Sequence, residues 1–413
     1  MTIAVPSYLL CRVLRSATLL IAITLFAALF SVGQTFTVLH TFTGGTDGAL
    51  GTGIIHGKGA LYGTTGYGGD PNCNSDFNPT GCGTIFKINA AGKETIIHSF
   101  TGSPDGQDPN GSLLIDGNDL YGTTFEGGAG YGIVFELDGQ GQRIAQYDFA
   151  GEPDAGYPTS ALVPAGPGVF YGAGYFGGAQ NDGAIFKLTF NSGGTGTDEI
   201  LHSFTGAPSD GANPDFPIIV QSGVMFGSTV YGGSGACNNG FAQGCGTVYK
   251  LTASSETVLY NFSGPDGEYP TMLIGDPTGG FFGLTSAGGA SGNGTVFSLK
   301  QNGTFTSLYS FSGSSDGSSP DGLAQDLSGN LFGVAAVGGL NNAGTIFELS
   351  PNGQGGWSEK TLYSFTGAAD GSGPQPSFVL DERDHLIYGA TITGGDTTCN
   401  APYGCGTVFE LSY

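Results

Sequence analysis

Positive charge is scarce in this sequence, with 11 Lys and Arg against 34 Asp and Glu among 413 residues. The formal net charge of −23 repels phosphate backbones and anionic lipid. Nucleic acid and membrane surfaces are thereby excluded as partners, and neutral polymers, cations or basic proteins are left. Charge of either sign is sparse, 11% of residues, so the exterior must be mostly Gly, Ser, Thr and Asn. Long apolar runs are lacking too: the most prominent, residues 17–30, spans about 14 residues where a membrane-crossing helix needs about 20. No serine elbow, phosphate-binding loop or paired-histidine motif is present, and no catalytic residue is assigned by motif.

The apolar run follows Arg12 and Arg15 and precedes Ser31, Val32 and Gly33, which place small residues at −3 and −1 of a cleavage site before Gln34. Residues 1–33 read as an export signal and 34–413 as one domain. Cleavage removes two Arg and no acid, leaving nine Lys and Arg against 34 acids and a charge of −25. The expected product is a monomer that is secreted, periplasmic or held at the cell surface, with no membrane attachment after cleavage.

Glycine is abundant, 78 residues, far above the usual ~7%. Such an excess means either disorder or a turn-rich fold, and an aromatic content of 12% favours the fold, because disordered chains lack the apolar groups that offset ordering entropy.

The organising feature is a G-[TAI]-[VI]-[FY] tetrapeptide that returns seven times, beginning at Gly83, Gly132, Gly183, Gly246, Gly294, Gly344 and Gly406, at intervals of 49, 51, 63, 48, 50 and 62. A period near fifty is the size of a four-stranded propeller blade. An aromatic-Gly pair keeps step with it, at Tyr62, Tyr121, Tyr171, Phe226, Phe282, Phe332 and Tyr388, followed each time by Gly-Gly. So does a Phe, at Phe42, Phe100, Phe149, Phe204, Phe262, Phe311 and Phe365, followed by Asp-Gly in six copies and by Asp154-Ala155 in the third. One unit splits into four extended runs, 112–115, 119–124, 132–137 and 143–149, here called strands A to D, separated by turn pairs such as Asp-Gly and Gly-Asn. The domain opens on a D-type strand and stops on a C-type strand. Residues 36–42 are therefore expected to pair with 406–412 and close a ring of seven blades, removing the exposed edges that invite aggregation. The predicted fold is all-β, a seven-bladed β-propeller.

The pattern L-[YF]-G-T-T, G-G, G-T-[VI]-F, H-S-F-T-G, D-G, P resembles the GloVer-type tandem repeat of exported bacterial proteins, with a blade layout similar to kelch-like propellers. The resemblance spans essentially the whole domain. It implies the propeller architecture and export but no particular activity. Some members carry a C-terminal anchoring signal, which the final strand ending at Tyr413 does not match, so release or retention by a partner is expected.

Six cysteines remain after the signal, as sequence-local pairs Cys73 with Cys82, Cys237 with Cys245 and Cys399 with Cys405, all in the B–C loops of blades 1, 4 and 7. Disulfides closing such loops contribute roughly 2–3 kcal/mol each and imply an oxidising compartment. Zinc would require the thiol pairs to meet at one centre, and they belong to separate blades.

Repetition also informs the acids. Asp47, Asp105, Asp154, Asp210, Asp266, Asp316 and Asp370 recur in every blade, whereas an active site is one asymmetric constellation. They read as turn holders accepting backbone N–H bonds. No loop has calcium-binding spacing, so no metal site or cofactor is assigned, with calcium kept as the alternative. His40, His98 and His202 occupy a strand-D position filled elsewhere by Tyr, which points to packing; His56 and His385 fall near A–B turns.

Function is sought where the copies differ. Before each Gly-Gly stand Tyr67, Glu126, Phe176 and Tyr231, then Ala287, Val337 and Thr393. Blades 1 to 4 thus offer large groups, and aromatic faces with a few polar groups suit sugar rings or peptide side chains. A second varying set follows the proline that opens strand A: Asn110, Thr159, Asp215, Thr271, Asp321 and Gln375, all polar and expected in the channel. Two functions follow. One is a non-catalytic recognition or scaffold propeller for a neutral glycan or a protein on the B–C loop face. The alternative is a polysaccharide lyase or hydrolase using Glu126, Asp215 or Asp321, which requires two of these carboxylates to converge in a pocket. A purely structural envelope protein would show no pocket.

Overall fold

The computed structural model describes residues 34–413 apart from 74–80, 239, 241 and 254, so the expected export signal at 1–33 lies outside the described residues. The described elements are all strands, arranged as seven antiparallel blades. Blade 2 shows the unit: Leu114–Asp116, Asp119–Thr124, Ile133–Leu137 and Arg143–Asp148, hydrogen-bonded in that order. Strand C is buried on both faces, as its consecutive apolar residues require. In blades 3, 4 and 7 the inner strand A is split in two.

The ring closes as expected. Phe36–Thr41 pairs antiparallel with Thr407–Ser412, placing Phe36 opposite Leu411 and Val38 opposite Phe409. Thr35 and Ser412 extend the pairing through main-chain and hydroxyl bonds.

Packing explains the repeated letters. The glycine of each aromatic-Gly pair lies under the strand-C ring of its own blade: a Cβ on Gly63 would stand 2.5 Å from Phe86, and one on Gly333 2.3 Å from Phe347. The Phe that ends each strand D is fully buried and meets the strand-C ring of the next blade, from Phe42 on Phe86 round to Phe365 on Phe409, with centroids 5.0–5.4 Å apart. These tilted and edge-on pairs form the inter-blade core. The Gly-Gly that ends each strand B is left-handed at both residues, φ +57° to +96°, and its first glycine passes so close to the D–A loop that a Cβ would fall 2.3–2.7 Å from backbone atoms.

The recurrent acids hold the D–A turns. Each accepts a backbone N–H from the residue after the strand-D Phe at 2.7–3.0 Å. Packing alone, expected for the strand-D histidines, is incomplete. His40, His98 and His202 do lie edge-on to Phe42, Phe100 and Phe204, but each also faces its turn aspartate at 3.1–3.5 Å. Tyr147, Tyr309 and Tyr363 donate their hydroxyls to the equivalent acids at 2.9–3.0 Å, so His and Tyr exchange at a position that sets a polar group beside the turn acid.

Candidate functional site

The variable residue before each Gly-Gly is positioned from below. In five blades a buried strand-B threonine donates its hydroxyl to that residue's carbonyl at 2.7–3.1 Å: Thr65 to Tyr67, Thr124 to Glu126, Thr229 to Tyr231, Thr285 to Ala287 and Thr391 to Thr393. Strand B thus delivers a rigid ring of positions around the B–C loop face.

A second ring, which the sequence does not announce, stands beside it at the start of strand A. Leu50, Asp108, Tyr157, Asn213, Tyr269, Ser319 and Gly373 all take left-handed φ of +52° to +66°. Each donates its N–H to the residue before the G-[TAI]-[VI]-[FY] glycine of the preceding blade, at 2.7–3.1 Å. The acceptors in blades 1, 4 and 7 are Cys82, Cys245 and Cys405, the second cysteines of the disulfides, which form in the expected pairs. A left-handed tyrosine costs of order 1–3 kcal/mol and persists only where its surroundings over-determine it. Here the inter-blade latch does so.

Together the rings build an aromatic belt over blades 2 to 5. Tyr157 is its hub, with ring centroids 5.0 Å from Phe125, 5.7 Å from Tyr131 and 5.7 Å from Phe176. Phe176 meets Tyr175 at 4.8 Å, and Tyr231 meets Tyr269 at 5.3 Å. The two parts join through Tyr175, whose phenol is held neutral by burial and by the neighbouring Tyr231 and Asp215. Tyr67, expected beside Phe176 and Tyr231, instead packs against the core between blades 7 and 1. Its phenol is pushed up to about 12 by burial and by the charges of Asp108 and Glu126. Glu126 is exposed and accepts from the Gln107 side chain at 2.8 Å. Asp108 is pushed up to about 7, mainly by burial and then by Glu126.

The set after the proline lies in the channel. Thr52, Asn110, Thr159, Asp215, Asp321 and Gln375 line a cavity of ≈ 170 Å³. Thr271 does not face it but is buried, donating to the Pro320 carbonyl at 3.2 Å. Burial raises both channel carboxyls, and the charge of Asp215 helps carry Asp321 to about 7. Two of the three carboxylates considered for catalysis therefore converge, while Glu126 belongs to the rim. The disulfide loop of blade 4 is the shared wall of two open grooves. One, of ≈ 730 Å³, contains Cys237, Glu268 and Tyr269; the other, of ≈ 380 Å³, contains Pro208 and Gln243.

Fold and rings define a seven-bladed β-propeller with its variable chemistry gathered at one end. The chain belongs to the Gloeobacter/Verrucomicrobia repeat family, which matches residues 24–238 and 234–413. No curated protein matches it. Among solved structures, hydrazine synthase of Kuenenia stuttgartiensis is similar over 84% of this chain and 94% of its own, at 13% identity and a TM-score of 0.53. The periplasmic gluconolactonase of Pseudomonas aeruginosa aligns over 83% and 98% at 14% identity and 0.49. At such identities the likeness is one of fold. No helix among the described residues is long and apolar enough to cross a membrane.

Proposed function

We propose that this propeller acts as an exported monomer that binds a neutral oligosaccharide along the belt Tyr157, Phe176, Tyr175, Tyr231 and Tyr269. The observation that carries the proposal is the confinement of these rings to adjoining blades, beside grooves walled by a disulfide-pinned loop. Aromatic faces take the C–H faces of pyranose rings, and the neighbouring Glu126 and Glu268 would accept bonds from sugar hydroxyls. The negative net charge disfavours uronic and sulfated chains. A glycan array tests this. Neutral glycans should be retained and acidic ones not, and Phe176→Ala or Tyr231→Ala should weaken binding about tenfold or more; no retained glycan, or unchanged binding in both variants, sinks it.

The convergence of Asp215 and Asp321 favours a second reading, a hydrolase or lyase acting in the channel. A cavity of ≈ 170 Å³ lies below the ~300–1,000 Å³ of sites that engulf a drug-sized ligand, so it accommodates a chain end rather than a chain interior. Release of new reducing ends from a retained glycan, lost in Asp321→Asn, would establish this reading over simple recognition.

A further inference from the structure

The seven inter-blade seams repeat one device: a strand-D His or Tyr, the turn aspartate that follows it, and a residue from the strand D of the next blade. Five seams are closed by the chain's own groups. Phe36 and Phe305 stack on Tyr363 and Tyr260 at 4.0 and 4.5 Å. Tyr309 bonds Asp316 beside Glu359, which is held by Thr361. Tyr147 bonds both Asp154 and Asp198. In the fifth, Arg143 reaches Asp105 at 2.8 Å, and His98 lies at hydrogen-bond distance from the same carboxylate, 3.1 Å.

The remaining two seams differ from these in the same way. His40, Asp47 and Glu94 meet between blades 7 and 1, and His202, Asp210 and Glu256 between blades 3 and 4, the donor atoms of each set lying within 4.8 Å of one another. In both, the His Nε2 and a Glu Oε1 are buried without a hydrogen-bond partner. The imidazoles stand back from the carboxylates, His40 at 3.5 Å from Asp47 and 3.5 Å from Glu94, and His202 at 3.4 Å from Asp210. That is too long for a good hydrogen bond. These three separations match pairs of ligands on one tetrahedral ion, which at ~2.0–2.2 Å from the metal stand about 3.3–3.6 Å apart, and the remaining pairs, within 4.8 Å, would close slightly on binding. Where the chain supplies a cation of its own, Arg143, the histidine closes to hydrogen-bond distance.

We infer that these two seams are a duplicated site for a first-row divalent cation of the zinc type, held by one imidazole and two carboxylates with a position left for water. One imidazole with oxygen donors suits zinc better than calcium, which takes oxygen alone. The first ion ties the N-terminal closing strand, through His40, to the outer strand of blade 1, through Glu94. The second ties blade 3 to blade 4 in the same manner. The ions act as removable staples of the ring and are independent of sugar binding.

Zn²⁺ titration of the chelator-stripped full-length domain, by calorimetry and by competition with a chromophoric chelator, tests the assignment. Two ions per chain at micromolar affinity or tighter are expected. His40→Tyr and His202→Tyr should each remove one, and the double variant both. Tyr is chosen because Tyr309, Asp316 and Glu359 already coexist in a seam of this chain, so the fold accepts the replacement; circular dichroism confirms it. His98→Tyr should leave two ions, and Zn²⁺ should raise the thermal midpoint of the wild type by several degrees but not that of the double variant. Absence of binding below 100 μM Zn²⁺, or unchanged stoichiometry in the double variant, overturns the inference. A single ion, lost in only one variant, overturns it for the other seam.

Discussion

Ala155 and Gly174 exchange volume across the inner strands of blade 3. At the equivalent places in blade 1, Gly48 faces Thr65 so closely that a Cβ would stand 2.2 Å from the hydroxyl; in blade 3 the loop residue has gained a methyl and strand B has lost its side chain, a Cβ on Gly174 falling 2.9 Å from that methyl. Gly174→Thr should therefore overpack the seam and cost about 1–3 kcal/mol. Ala155→Gly in the same chain should recover a good part of that loss, because the pair is coupled. Urea midpoints of the two single variants and the double provide the cycle; additive effects would contradict the coupling.

Phe36 makes ring closure measurable. It stacks on Tyr363 at 4.0 Å and 7°, and also meets Phe365 and Phe409 at 5.6 and 5.4 Å. Phe36→Ala should lower stability by about 2–3 kcal/mol, less than the ~3–5 of a fully enclosed ring because Phe36 is only part-buried. A midpoint shift in thermal or urea unfolding reads this directly, and no shift would mean that the closing strand contributes little to the ring.

The blades, the closing strand and the disulfide pairs were legible in the sequence because in-phase letters report packing that is the same in every copy: a glycine under Phe86 must recur as a glycine under Phe347. The belt was only half legible. Phe176 and Tyr231 stand at the position before Gly-Gly, where sequence variation is easily seen, but their neighbours Tyr157 and Tyr269 precede a proline. Sterics normally push such a residue toward extended backbone, so nothing local suggests the left-handed turn that brings these rings to the face. The signal that would have exposed them is the same comparison between blades made one position before the proline rather than one after. Glu126 and Asp321 shared a list because both are unrepeated carboxylates, and only the ring separates rim from channel.

Asp321 should make stability depend on pH. Its folded pKa of about 7 lies above the ordinary carboxyl value, first through burial and then through the charge of Asp215. The folded state therefore binds more protons than the unfolded one between roughly pH 4 and 7, and stability falls across that window before levelling above it. Asp321→Asn removes the buried charge. It should be more stable than wild type by about 2 kcal/mol at pH 8 and nearly equal to it at pH 4. Urea denaturation at the two pH values decides; parallel profiles for variant and wild type would refute it.

The disulfide of blade 4 links stability to the proposed ligand face. Cys245 accepts the Tyr269 N–H at 2.9 Å, so the bridge to Cys237 holds the atom that keeps Tyr269 left-handed and its ring 5.3 Å from Tyr231. Replacing both cysteines by Ala should cost roughly 2–3 kcal/mol through the unfolded chain's regained freedom. A second effect should be separable from that loss. With the latch loosened, Tyr269 can relax toward extended backbone, and glycan affinity should fall several-fold at temperatures where the domain is still fully folded. The matching variant in blade 7, without Cys399 and Cys405, loosens Leu50 on the far side of the ring and should lose similar stability while binding as wild type. Equal loss of affinity in both variants would show that the bridges act only on global stability, and that Tyr269 is not held for a ligand.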